Sequence, residues 1–108
     1  MISMAEDILI LARDAAAKRM VFTPHALSQM SRPERMITTD EVLQVINGGK
    51  VIEDYPEDAR GHSCLILGYD EEHRGVHVVC APKPDFLAII TAYLPDPEQW
   101  SPDFSRRL

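Results

Sequence analysis

Two histidines stand where an ionisable ring could do acid–base chemistry. In the stretch Phe22-Thr23-Pro24-His25, Thr23 is a good N-cap and Pro24 suits the first helical position, so His25 falls in the first turn of a helix. The helix dipole favours a neutral imidazole there, which suits a general base, and free N–H groups nearby can hold a phosphate. The alternative is a capping-region histidine that bonds a neighbouring loop. His77 lies in an apolar strand, where a histidine is more often half-buried than catalytic.

Polar side chains also recur in the strand-like half of the chain. Because side chains alternate along a strand, one sheet face can gather Glu53, Tyr55, His77, Thr91 and Tyr93. Strict alternation then directs Ile66, Val76, Val78, Ile90 and Ala92 to the opposite face and leaves the apolar Ile89 on the polar one. A carboxylate, an imidazole and hydroxyls on one surface are suitable groups for proton transfer.

Helical spacing and capping signals predict three helices ahead of these strands. The first runs from about Met4 to Lys18 behind a capping box formed by Ser3 and Glu6. The second starts after Thr23 and ends near Ser31. The third starts at the capping box Thr38-Thr39-Asp40-Glu41 and ends at Asn47-Gly48-Gly49, where glycine would supply a left-handed cap.

From Lys50 onward the hydrophobic period becomes that of strands. Short links between the strands favour hairpins in an antiparallel meander, over residues 51–55, 63–69, 76–81 and 86–93. Helices followed by strands predict one α+β domain over residues 1–108, with helices (about 4–47) packed on one face of a four-stranded antiparallel sheet (about 50–94). The other face is then open for a site. The tail, residues 95–108, is turn-like, and Trp100 is expected to anchor it to the body.

The charge distribution restricts the kinds of partner. The formal net charge is −6, and it divides unevenly: residues 1–37 hold five Lys/Arg against four Asp/Glu, and residues 38–108 hold six against thirteen. An acidic chain has no general attraction to nucleic acid, since phosphate binding depends on Lys and Arg. Any RNA contact must therefore be local, and the acidic surface suits a basic partner.

Several classes of protein find no support in the sequence. The apolar runs are shorter than a membrane span and the start lacks the basic residues of a signal peptide, which predicts a cytoplasmic protein without membrane contact. Cys64 and Cys80 are expected to be buried thiols in strands. The histidines show no metal-ligand spacing, and no phosphate-binding glycine loop occurs, so neither metal nor cofactor is expected.

An ordered set of motifs carries a resemblance to a known family. The motifs are "FTPHALSQM", "RMITTDEVLQVINGG", "KVIEDYPEDARGHSCLILGYD", "VHVVCAP" and "AIITAYLPDPEQW", over about residues 21–105. Together they resemble domain-of-unknown-function family 4258, small prokaryotic proteins regarded as similar to the RelE/barnase-like group of metal-independent ribonucleases and often encoded beside antitoxins. The resemblance implies a toxin-like RNA endonuclease domain with an RNA substrate and a cognate antitoxin partner.

Carried over by position, the family's histidine corresponds to His25, its sheet residues to Glu53, Tyr55, His77, Thr91 and Tyr93, and its arginine to Arg35. In such chemistry we expect His25 or His77 as base and acid, Arg35 on the phosphate, and Tyr93, Thr91 and Glu53 in positioning or proton transfer. Arg32, Arg35 and Tyr55 are the expected RNA contacts.

The chain departs from the family pattern at one position that matters for phosphate binding. Gln29 stands where the family commonly has an arginine one turn after the histidine. Either Arg32 replaces that arginine from a lengthened loop or the site has lost it. The alternative function is therefore a non-catalytic protein-binding module on the same fold, which the missing arginine and the negative charge favour.

Overall fold

The elements come in nearly the expected order, with one additional strand. A computed structural model describes residues 4–34 and 36–108, and within them the chain forms three helices and five strands. These are α1 (Met4–Lys18), β1 (Met20–Phe22), α2 (Pro24–Met30), α3 (Thr39–Gly48), β2 (Lys50–Tyr55), β3 (Ser63–Tyr69), β4 (Gly75–Pro82) and β5 (Leu87–Tyr93). The α+β class is confirmed.

Side-chain caps fix the starts of the second and third helices. The Thr23 hydroxyl accepts a hydrogen bond from the Ala26 N–H at 3.0 Å, and Thr38 and Glu41 form both bonds of a capping box. Both predicted starts are therefore confirmed, while the predicted Ser3–Glu6 box lies outside the described residues. Of the helices in the described part of the chain, none has the length and apolar character needed to cross a membrane.

The sheet is mixed and not purely antiparallel. Its strand order is β1-β5-β4-β3-β2, and β1 pairs in parallel with β5 so that Val21 lies opposite Ala88. The remaining pairs are antiparallel, as predicted. The predicted four-stranded antiparallel sheet was wrong by this one strand, because three residues between two helices are too short to show a strand period.

Two β-bulges set which side chains share a face. The register shifts between Val51 and Glu53 in β2, and again in β5, where Val79 pairs with Thr91 but Cys80 pairs with Ile89. The extra residue resets the alternation in β5. Ile89 consequently belongs to the core under the helices, and the prediction that it shares the polar face with Thr91 was wrong.

The main core lies between the helices and one face of the sheet. It is built from apolar side chains of all three helices and of strands β3, β4 and β5, among them Ile8, Ala26, Ile46, Ile66 and Val78. Cys64 and Cys80 pair across β3 and β4 in this core as buried free thiols, as predicted. His77 lies between Val76 and Val78 in β4, so its side chain is on the opposite face.

That opposite face is covered by the chain's own C-terminal tail (residues 95–108). The tail closes on itself through a bridge between Trp100 and Arg107, and the Tyr69 hydroxyl donates to the Asp103 carbonyl at 3.0 Å. Its further contacts with the sheet include Trp100 on His77, Phe104 beside Gly75, and Arg107 on Glu53. Trp100 is 4% exposed and anchors the tail, as predicted, but the expectation of an open sheet face was wrong.

Gly49 ends α3 for a reason different from the predicted one. Its φ is −89°, which is outside the left-handed region, so the predicted left-handed cap was wrong. A Cβ atom at this position would lie 2.4 Å from the Val45 carbonyl oxygen and 2.5 Å from that of Leu67. Glycine is therefore required by the close approach of the helix end to β3. Arg13 completes this junction, since its guanidinium donates to the carbonyls of Ile46 and Gly49 at 2.9 and 3.1 Å.

The close approach of the α3 end to β3 predicts that alanine will have different effects on stability at two adjacent glycines. Gly49→Ala should lower the free energy of unfolding by roughly 1–3 kcal/mol, because the added methyl group forces the α3–β3 junction apart. Gly48→Ala is the matched control: a Cβ there meets nothing within 4 Å, and alanine favours the helix. Urea unfolding of both variants checks this, and equal losses in the two would contradict it.

Candidate functional site

His77 is a buried and fully hydrogen-bonded imidazole. Its residue is 0% exposed, and its Nε2 lies 2.8 Å from the Phe104 carbonyl oxygen, which can only accept. Nε2 therefore carries a proton. Its Nδ1 lies 3.2 Å from the Tyr93 hydroxyl, so in the neutral ring Nδ1 accepts from Tyr93. Both ring nitrogens are thus satisfied without a positive charge.

Aromatic neighbours keep this imidazole neutral. The Trp100 ring meets it edge to face with 4.4 Å between centroids, and the Tyr93 ring does so at 5.3 Å. Burial lowers the pKa of His77 below its ordinary value, and the bond to the Phe104 carbonyl offsets this only in part. Burial likewise raises the pKa of Tyr93. The resulting His77–Tyr93 pair lies beneath the tail and away from solvent.

An ion pair with a tyrosine lies at the edge of the same face. Nε and Nη2 of Arg107 donate to the two carboxylate oxygens of Glu53 at 2.8 and 3.0 Å, and the Tyr55 hydroxyl donates to the same carboxylate. The Arg107 guanidinium lies over the Trp100 ring, 4.7 Å from its centroid. Trp100 therefore contacts both Arg107 and His77 and connects the ion pair to the buried imidazole.

These contacts set the charge states of the edge groups. The hydrogen bonds from Arg107 hold the pKa of Glu53 below its ordinary value, although burial opposes this. Burial, followed by the bond to Glu53, raises the pKa of Tyr55 to about 12. At neutral pH the edge of this face therefore presents an ionised carboxylate beside a protonated hydroxyl, and the two shifts make Glu53 a weaker base and Tyr55 a weaker acid than they are in water.

The strand register explains why these residues meet. Lys50, Leu67, His77 and Tyr93 lie in one row across β2 to β5, and Glu53, Leu65, Val79 and Thr91 lie in the next. The Thr91 hydroxyl oxygen is buried and has no hydrogen-bond partner among the described residues. All five members of the predicted polar set therefore come from strands whose register places them on the covered face.

The predicted residues outside the sheet are not part of this cluster. His25 is exposed at the start of α2, and within the described chain it makes no hydrogen bond, ion pair or ring contact with the cluster. The buried residues of α2, Ala26 and Met30, pack on the helix side of the sheet, opposite His77. The structure therefore does not bring the two histidines together. Arg32 is exposed in the following turn, and Arg35 lies outside the described residues.

Sequence reasoning missed two of the residues that complete the cluster. Arg107 and Phe104 lie in a turn-rich tail whose composition gives no periodic signal, and their partners are residues distant in the chain. The expected anchor Trp100 was the one available indication that the tail returns to the sheet. In the described residues, no group of three or more His, Cys, Asp or Glu side chains is placed to hold a metal ion.

Most of the chain matches the model of a known protein family. Residues 22–94 match the family model described as Domain of unknown function (DUF4258). The chain belongs to the DUF4258 family. No curated protein and no solved structure matches the chain significantly. The DUF4258 match includes α2 and the strands that carry the polar set, whereas the tail with Trp100, Phe104 and Arg107 follows the matched residues.

The buried imidazole predicts a specific loss of stability in mild acid. The unfolded chain binds a proton at His77 near pH 6.5, but the folded chain does so only at lower pH, so stability should fall as pH drops below about 6.5. His77→Gln should reduce this slope, because an amide can still donate to Phe104 and accept from Tyr93 but cannot titrate. One proton accounts for at most about 1.4 kcal/mol per pH unit.

Urea unfolding between pH 7.5 and 5.5 measures that slope. This range stays above the titration of Glu53, whose lowered pKa acts in the same direction only in stronger acid. His25→Gln is the control, since it removes an exposed histidine and should retain the wild-type slope. An unchanged slope in His77→Gln would show that the buried ring is not the group responsible.

Proposed function

We propose that this DUF4258 protein is a metal-independent RNA endonuclease of the toxin type. The observation that supports this best is the contact between a carboxylate, Glu53, and a hydroxyl, Tyr55, on a sheet face. The Glu53 side chain is 23% exposed, so solvent reaches it at the edge of the covered face. Cleavage through a ribose 2′-hydroxyl requires one group that accepts a proton and one that donates a proton, and these two side chains provide both types.

The proposed reaction assigns one step to each group. Glu53 takes the proton from the 2′-hydroxyl, and that oxygen then bonds to the adjacent phosphorus. The bond from phosphorus to the 5′-oxygen breaks, and Tyr55 gives its proton to the leaving oxygen. The products are a 2′,3′-cyclic phosphate and a 5′-hydroxyl. His77 acts as a positioning residue in this assignment, because its hydrogen bonds hold Tyr93 on one side and the tail on the other.

The remaining expectations follow the family resemblance. A cognate antitoxin is the proposed protein partner, and similarity to the RelE/barnase-like group is the proposed evolutionary relation. Helices on one side of strands β2 to β5 are compatible with it. The RNA contacts expected of Arg32 and Arg35 and the catalytic role expected of His25 stay predictions, and none of the steps above uses His25.

An RNA cleavage assay in EDTA tests the proposal. Wild-type protein should release fragments ending in 2′,3′-cyclic phosphate or 3′-phosphate, and Glu53→Gln should lower the rate by roughly 10²–10⁴-fold. Glu57→Gln is the matched control, since Glu57 is exposed in the β2–β3 loop and loses the same charge. The proposal fails if purified wild-type protein leaves RNA intact, or if both variants cleave equally well.

A second function, a non-catalytic protein-binding module, is favoured by a different observation. The tail covers His77 completely, and a mainly acidic cleft lies elsewhere, between α3 and the β3–β4 turn. Its lining includes Asp40, Glu41, Asp70, Glu71 and Glu72, together with Arg74, which pairs with Asp70 and Glu41. Such a cleft suits a basic protein segment. Absent cleavage, together with binding of a basic partner that Glu71→Gln and Glu72→Gln weaken, would favour the module over the enzyme.

A further inference from the structure

Arg107 has the geometry of an anion-binding residue that is already occupied by an internal carboxylate. Its Nε and Nη2 grip both oxygens of Glu53 at 2.8 and 3.0 Å, in the two-point arrangement that guanidinium groups also make with phosphates. A guanidinium has five N–H donors, so further donors remain for a second anion. Glu53 thus occupies the position that two phosphate oxygens would take.

The guanidinium is both accessible and held in place. The Arg107 side chain is 63% exposed, whereas Trp100, on whose ring it stacks, is 4% exposed. Stacking on a buried indole orients the planar group and reduces the entropy that it loses on gripping a ligand. The neighbouring Arg106 is also exposed, but its backbone bonds to Ser101 fix the main chain alone. The two adjacent arginines therefore differ in preorganisation and not in charge.

We propose that Arg107 is the phosphate-binding residue of this face, and that RNA phosphate displaces Glu53 from it. The RNA part of this inference rests on the proposed function. Arg107 lies in the tail, which follows the residues of the DUF4258 match.

Displacement would connect substrate binding to activation of the base. While Arg107 is paired with Glu53, its hydrogen bonds stabilise the carboxylate and make it a weak proton acceptor. When a phosphate takes over the Nε–Nη2 edge of Arg107, the carboxylate loses those bonds and its affinity for a proton rises. Glu53 is then free beside the bound phosphodiester, with Tyr55 still in contact.

Binding of an uncleavable RNA tests the role of Arg107 separately from cleavage. The probe is a fluorescent single-stranded RNA with 2′-O-methyl groups, titrated by anisotropy in about 50 mM salt, because phosphate contacts weaken steeply with added salt. Arg107→Gln should raise the dissociation constant by about 10-fold or more, since it removes a charge-assisted two-point contact. Arg106→Gln removes the same charge one residue away and should change it by less than about 3-fold.

Glu53→Gln separates phosphate binding from tail docking. Both Glu53→Gln and Arg107→Gln break the ion pair, so melting temperatures should fall together if the pair helps to hold the tail. Binding should diverge, because Glu53→Gln leaves Arg107 free of its internal competitor and should bind the probe at least as tightly as wild type. Equally weakened probe binding in the two variants would show that the ion pair only holds the tail in place. That result would overturn the proposal.

The remaining outcomes are equally decisive. Absence of saturable binding by wild-type protein, or equal effects of Arg106→Gln and Arg107→Gln, overturns the role of Arg107. The expected binding pattern without cleavage of ordinary RNA upholds Arg107 as a phosphate site and overturns the proposed endonuclease. The two proposals therefore fail on different measurements.

Discussion

The neutral imidazole of His77 connects the sheet to the C-terminal tail that covers one of its faces. The sheet has helices on one face, and 14 residues of irregular chain cover the other. Such a segment buries few apolar side chains, so it depends on directed contacts: one ring nitrogen holds Tyr93, the other holds the Phe104 carbonyl, and Trp100 packs on the ring. A charged ring would need two acceptors and would lose the bond that Tyr93 now donates. The position of Arg107 over Glu53 follows from this docking.

The sequence predicted those parts of the fold that local chemistry decides. Helix starts at Thr23 and Thr38 follow from side chains that bond the backbone within three residues, and the strand order from β2 to β5 follows from short hairpin links. The polar set was found for the same reason, since alternation along a strand is a local property. Its location on the face opposite the helices follows from alternation along β4, because the side chains of Val76 and Val78 lie on the helix side.

What the sequence did not reveal depends on pairing between distant residues. Strand β1 is defined by its partner β5 and not by its own three residues, and the bulge that moves Ile89 into the core arises only when β5 is aligned with β4. Arg107 meets Glu53 across 54 positions of sequence. The strand residues of the polar set were therefore foreseen, but the ion pair with Arg107 and the tail that covers the face were not.

The parallel pairing of β1 with β5 has a consequence for the order in which the protein can form during synthesis. Met20 to Phe22 emerge early, but their partners Leu87 to Ile89 follow more than sixty residues later. Contacts of such separation form late, because closing a long loop costs entropy before it gains contacts. The edge of the sheet and the cover over His77 are thus both completed by the last fifth of the chain. Before residues 87–108 are in place, β1 has no strand partner and the polar face of the sheet has no cover.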